Sequence, residues 1–102
     1  MSDGYKDIFE DKTILVTGGA GAIGSNLVKR LSDYEAEKVI VLDDLSSGYE
    51  WLLPERENVE LIKGSILDEE KLKRSFKHQP DYVYHLAAHL PIRIQSIILR
   101  QI

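Results

Sequence analysis

Gly18, Gly21 and Gly24 stand three residues apart, and a carboxylate, Asp43, follows about twenty residues beyond the last of them. Glycines at this spacing let backbone N–H groups come close to a bound anion that a Cβ would hold away. If a helix starts at the same place, its first N–H groups and the positive end of its dipole add to the attraction for a phosphate. A carboxylate at the later position can accept both hydroxyls of a ribose. The chemistry indicated is capture of a dinucleotide by its pyrophosphate and its adenosine ribose. Asp43 would repel a 2′-phosphate, and Asp44, Leu45 and Ser46 after it include no arginine to hold one, so NAD is favoured over NADP. Two plainer readings stay open: glycines that only make a tight strand–helix connection, and an aspartate that only solvates a strand end.

The elements around these residues decide how far the pattern can be taken. Thr13 to Thr17 (TILVT) is a β-branched run that feeds the glycines, as a buried strand feeds a turn. From Ala22, the apolar residues Ile23, Leu27, Val28 and Leu31 recur at helical spacing, with Lys29, Arg30 and Asp33 on the other side. Val39 to Leu42 is a continuous apolar run, which suits a parallel strand covered on both faces and ending at Asp43. The segment 44–58 is turn-rich and reads as a loop with a weak helical turn. Val59 to Ile62 is a third strand, and Asp68 caps a helix through Phe76 that stops before Pro80. Tyr82 to Leu86 is a fourth strand. The expected fold is α/β: a partial Rossmann arrangement, doubly wound, of about four parallel strands with flanking helices.

Composition narrows the class without choosing a function. With 43% hydrophobic and 29% charged residues, the chain is an ordinary globular protein, and 102 residues allow one domain at most. A net charge of -4 gives no basic footprint for nucleic acid or an anionic membrane. The absence of cysteine excludes disulfides and thiolate chemistry, and the polar, acidic start lacks the form of a signal peptide. A cytoplasmic protein is expected.

VTGGAGAIGSNLVKRL, VLDDLSSG and YHLAA together resemble the successive cofactor motifs of the extended short-chain dehydrogenase/reductase family, in its NAD-dependent epimerase/dehydratase branch, UDP-glucose 4-epimerase-like. The resemblance covers Lys12 to His89. It implies that Gly18, Gly21, Ala22 and Ile23 line the pyrophosphate, that Asp43 and Asp44 hold the adenosine ribose, and that Ser47 with Gly48 closes over the phosphate side. Leu86, Ala87 and Ala88 would pass beneath the nicotinamide half. The family usually has Gly-Asp-Ile after the third strand, its aspartate bonding the adenine amino group, whereas this chain has Gly64, Ser65 and Ile66. Ser65 can accept the same bond in neutral, weaker form, and Ile66 would contact the adenine ring.

Catalysis in that family rests on a later Tyr-x-x-x-Lys helix. Tyr34 to Lys38 has the same spacing but falls between the first helix and the second strand, on the return side of the sheet, whereas ligands bind at the carboxyl ends of the strands. No catalytic residue is assigned. His85 reads as a packed core histidine, His89 lies too near the end to place, and three histidines without ligand spacing make no metal site. Trp51 reads as loop packing, with the adenosine pocket as the alternative. Asp68 to Arg74 reads as a solvated helix face.

The chain is thus expected to divide into a polar segment 1–11, an incomplete NAD-binding domain 12–89, and a tail 90–102. The tail, LPIRIQSIILRQI, lacks the family's continuation. Codons chosen for it and shifted by one base encode FANQNSIDHPETD, which resembles that continuation, so an out-of-frame tail is expected. The function expected is the NAD half-site of a nucleotide-sugar epimerase or dehydratase, with the sugar nucleotide bound only in a full-length relative. A non-catalytic NAD-binding or sensor module and a non-functional fragment are the alternatives.

Overall fold

The computed structural model describes residues 4–46 and 48–86. Its elements are α1 (Gly4–Phe9), β1 (Thr13–Thr17), α2 (Ala22–Asp33), β2 (Lys38–Asp43), a 3-10 turn (Glu50–Leu52), β3 (Val59–Lys63), α3 (Glu69–Phe76) and β4 (Tyr82–His85). The strands form one parallel sheet in the order β3-β2-β1-β4. Chain order therefore reverses direction at β1, which has β2 on one side and β4 on the other. In open α/β sheets, ligands bind at such a switch point, outside the carboxyl ends of the strands. Here those ends carry Gly18, Asp43, Gly64 and Leu86.

Alternation along the strands explains why they read as unbroken apolar runs. Ile14, Val16, Val39 and Val41 face one way and pack with Val28 and Leu31 of α2 and with Phe9. Leu15, Ile40, Leu42 and Ile62 face the other way and pack with Leu72 and Phe76 of α3. Both faces are covered, so neither needs a polar residue to meet water. Asp68 caps α3 as expected, its carboxylate accepting from the N–H groups of Glu70 and Lys71. The strand limits differ from the expected ones by a residue at some ends, and β4 stops at His85 rather than Leu86.

Three expectations need correction. The segment before Lys12 is not simply polar: it forms α1, and Phe9 is buried against Tyr34, Tyr82 and Tyr84. Polarity counted by composition hid one aromatic that anchors the segment. Trp51 is not packed in the loop but 76% exposed, stacked on Tyr49 with ring centres 5.5 Å apart; Leu53 takes the place against the core. His85 is exposed rather than buried in the core, because β4 is the last strand of the sheet among the described residues.

Candidate functional site

The glycine turn begins where β1 ends. Gly18 has φ 74°, a backbone conformation that only glycine adopts without strain, and its N–H donates to the Leu42 carbonyl at 2.9 Å. Gly24 lies so close to this turn that an added Cβ would stand 2.5 Å from the Gly18 carbonyl oxygen. Gly21 is different. It is the residue before α2, and a Cβ there would meet only the Gly18 oxygen, at an ordinary 3.7 Å. The fold thus needs hydrogen at Gly24 for packing, whereas at Gly21 the space beside the loop is open toward the start of α2.

That helix start has no side-chain cap and no acidic residue in its first turn. Ala22 and Ile23 begin it, and Ile23 is 81% exposed. The end of a helix that lacks a capping anion keeps its N–H groups and dipole available to one from outside.

Asp43 ends β2 and faces this turn. Its Oδ2 accepts the Ala20 N–H at 2.9 Å, and its Oδ1 accepts the Leu45 N–H at 2.8 Å. Each carboxylate oxygen has a further lone pair for a hydroxyl. Leu45 takes φ 63°, uncommon for a bulky residue, so the chain turns sharply away from β2 just after the carboxylate. The loop then returns to the glycine turn. The Tyr49 N–H donates to the Ala20 carbonyl at 3.1 Å, and Gly48 is buried with room for no Cβ, which would lie 2.5 Å from the same oxygen. Ala20, fully buried, is therefore held through its N–H by Asp43 and through its carbonyl by Tyr49.

Asp44 is exposed and accepts the Ser46 N–H at 2.9 Å; the bonds from Ser46 hold its carboxyl below the usual range. At the end of β3, Gly64 N–H donates to the Asp43 carbonyl at 3.0 Å, and the Ser65 hydroxyl accepts the Leu67 N–H at 3.0 Å, which leaves its own proton to donate. Ile66 is buried in the α3-side core, so little of it is left for a ligand. Leu86 is 42% exposed just past β4. Ser47, Ala87, Ala88, His89 and the tail lie outside the described residues.

The structure therefore brings Gly18, Gly21, Ala22, Ile23, Asp43 and Gly48 to one place, with Asp44, Ser65 and Leu86 on neighbouring strand ends. Sequence reasoning missed Ala20, whose peptide joins the two halves; the only sign of it was a small residue inside the glycine run. It also missed Thr17, fully buried, whose Oγ1 lies 2.6 Å from His85 Nδ1. Partial burial lowers the pKa of that histidine below its ordinary value. Tyr34 and Lys38 are at the other end of the sheet: the Tyr34 ring stacks on Phe9 at 6.0 Å, and Lys38 pairs with Glu60 at 3.7 Å. Among the described residues, no group of acidic or histidine side chains could hold a metal, and no helix is long and apolar enough to cross a membrane.

Comparison with known proteins bears on this arrangement. A family model described as the NAD dependent epimerase/dehydratase family matches residues 14–97. The match runs past His89 into the tail that was read as out of frame. UDP-glucose 4-epimerase of Mycolicibacterium smegmatis is 40% identical over 82 residues, which are 78% of this chain and 26% of that protein. The epimerase Mth375 of Methanothermobacter thermautotrophicus superposes with a TM-score of 0.80 at 50% identity, over 96% of this chain and 29% of that one. The Bordetella bronchiseptica enzyme WbmF, solved in complex with NAD+, gives a TM-score of 0.74 at 38% identity, over 80% of this chain and 24% of that one. The chain spans less than a third of the length of each of these relatives.

Proposed function

The chain belongs to the NAD dependent epimerase/dehydratase family, and from that premise we propose that its sheet holds NAD across the switch point as the cofactor half-site of a nucleotide-sugar epimerase or dehydratase. The observation that carries this reading is the bond from Ala20 N–H to Asp43 Oδ2, which assembles the phosphate turn and the ribose acceptor as one unit. The residues fit the group. Gly18 and Gly21 leave the backbone open, Ala22 and Ile23 present an uncapped helix start to the pyrophosphate, and Asp43 takes the adenosine ribose. Asp44 stands beside that ribose, Gly48 closes the phosphate side together with Ser47, and Ser65 serves the adenine. Leu86, Ala87 and Ala88 would support the nicotinamide half.

Bound NAD supplies a hydride acceptor and donor for a carbon of the sugar ring. The residues described here bind and orient; none of them is placed to move a proton, and we assign no catalytic residue. Tyr34 is excluded by its position in the aromatic cluster around Phe9, at the opposite end of the sheet from Gly18. A nucleotide sugar is the substrate class we assign to the full-length relative, in keeping with the name of the Mycolicibacterium enzyme. A cytoplasmic location is part of this proposal, and the cysteine-free sequence, which can form no disulfide, is compatible with it. The out-of-frame tail is a separate proposal, tested by sequencing the coding DNA through codon 102.

Calorimetric titration of the unmutated chain with NAD and, separately, NADP tests the cofactor reading. Saturable binding with NAD the tighter ligand is expected; no heat with either would leave the non-functional fragment as the better reading.

A further inference from the structure

Thr17 is the last residue of β1 and the one before Gly18. It is fully buried, although its side chain is polar. In the parallel register it lies opposite His85, the last residue of β4. Two links join the strand ends here: the Leu86 N–H donates to the Thr17 carbonyl at 2.9 Å, and the Thr17 hydroxyl meets His85 Nδ1 at 2.6 Å. β1 and β4 are neighbours in the sheet, paired from Ile14–Tyr82 to Thr17–His85, and these two bonds close that pairing at the mouth of the switch point.

The direction of the side-chain bond follows from counting donors. A buried hydroxyl needs an acceptor for its proton, and among the described residues His85 Nδ1 is the one side-chain group within reach of Thr17 Oγ1. The hydroxyl therefore donates, Nδ1 accepts, and the ring carries its proton on Nε2. The opposite arrangement would leave the Thr17 proton buried without a partner.

We infer that Thr17 and His85 form a clasp that positions the start of the glycine turn for the dinucleotide, with Thr17 the positioning residue and His85 acting through it. Gly18 is bonded to Thr17 covalently and to β2 through Leu42, so any spreading of β1 from β4 moves the first residue of the turn. A binding constellation loses strength when its parts stray by about 0.5 Å. This inference rests on the NAD reading above.

The test uses the whole chain and four variants: Thr17→Ser, Thr17→Val, His85→Leu, and Thr17→Val with His85→Leu. NAD affinity is measured by calorimetry, with the thermal midpoint of each variant as a check on folding. Thr17→Ser, which restores the hydroxyl, is expected to keep wild-type affinity. Thr17→Val and His85→Leu should each weaken NAD by about fivefold, the size of one net hydrogen bond. The double variant should be no weaker than either single one, because both remove the same bond. Affinities unchanged in both single variants, or losses that multiply in the double variant, would overturn the clasp and leave the NAD reading standing. His85→Leu changes an exposed side chain and keeps the test decisive if Thr17→Val fails to fold. No binding by the unmutated chain would overturn the NAD reading, and this inference with it.

Discussion

The Ala20 N–H donates to Asp43 Oδ2 at 2.9 Å, across from one strand end to the next. One carboxylate thereby fixes the shape of the glycine turn and, in the proposed NAD complex, also takes the ribose. A hydrogen bond to an ionised acceptor contributes about 1.5 to 3 kcal/mol, so loss of Asp43 acts on the turn as well as on the ligand.

From this dual role, Asp43→Ala should weaken NAD by at least about tenfold, which corresponds to roughly 1.4 kcal/mol. NADP should lose less, since the carboxylate that repels its 2′-phosphate is gone. The preference for NAD therefore narrows. Titration of both cofactors against both chains checks this, and an unchanged ratio of affinities would count against Asp43 as the ribose acceptor.

The glycines separate folding from binding. Gly24→Ala puts a Cβ against backbone at 2.5 Å and should cost about 1 to 3 kcal/mol of stability. Gly21→Val meets nothing closer than 3.7 Å at its Cβ, so the fold should tolerate it, while the branched side chain takes the space the pyrophosphate needs. Urea unfolding and NAD titration of each variant give the comparison. Retained NAD affinity in Gly21→Val would mean that the turn is only structural.

Much of this was legible in the sequence because it depends on local pattern. The continuous apolar runs at Thr13 to Thr17 and Val39 to Leu42 announced strands covered on both faces, and Asp68 announced its helix. Gly18 and Asp43 could be paired from spacing alone. What could not be read were contacts across the sheet. Ala20 is an unremarkable small residue until the fold brings Asp43 and Tyr49 to its two peptide groups. Thr17 and His85 lie far apart in the chain and become partners only when β4 is set beside β1. Trp51 was misread because large aromatics are usually buried, and here the apolar place was filled by Leu53. Ile66, expected to contact the adenine ring, also packs with Leu72 and Phe76, a neighbourhood that spacing alone does not show.

The N-terminal helix makes a prediction about stability alone. Phe9 is 8% exposed and touches three tyrosines, of which Tyr34 and Tyr82 lie at the end of the sheet away from Gly18. Phe9→Ala should cost about 3 kcal/mol and leave the ratio of NAD to NADP affinity unchanged in the folded chain. A shifted ratio would mean that α1 reaches the cofactor site.

His85 gives the stability a pH dependence. Partial burial lowers its folded pKa below the ordinary value of 6.5. The unfolded chain then binds more protons than the folded one between the folded value and 6.5, so stability rises with pH through that window and this contribution is lost as pH falls. Thermal midpoints measured from pH 5 to pH 7.5 should rise more steeply in the unmutated chain than in His85→Leu. Parallel curves would contradict the assignment.

We propose that NAD binds at the turn from Gly18 to Ile23, joined to Asp43 through Ala20. The most direct measurement is a titration of the 15N-labelled chain with NAD, followed by amide chemical shifts. The signals of Gly18, Ala20, Gly21, Ala22, Ile23 and Leu45 are expected to move together and saturate at one affinity, while those of Tyr34 and Lys38 stay in place. Shifts centred on α1 or on the exposed Tyr49 and Trp51 pair, with the glycine turn unmoved, would contradict it.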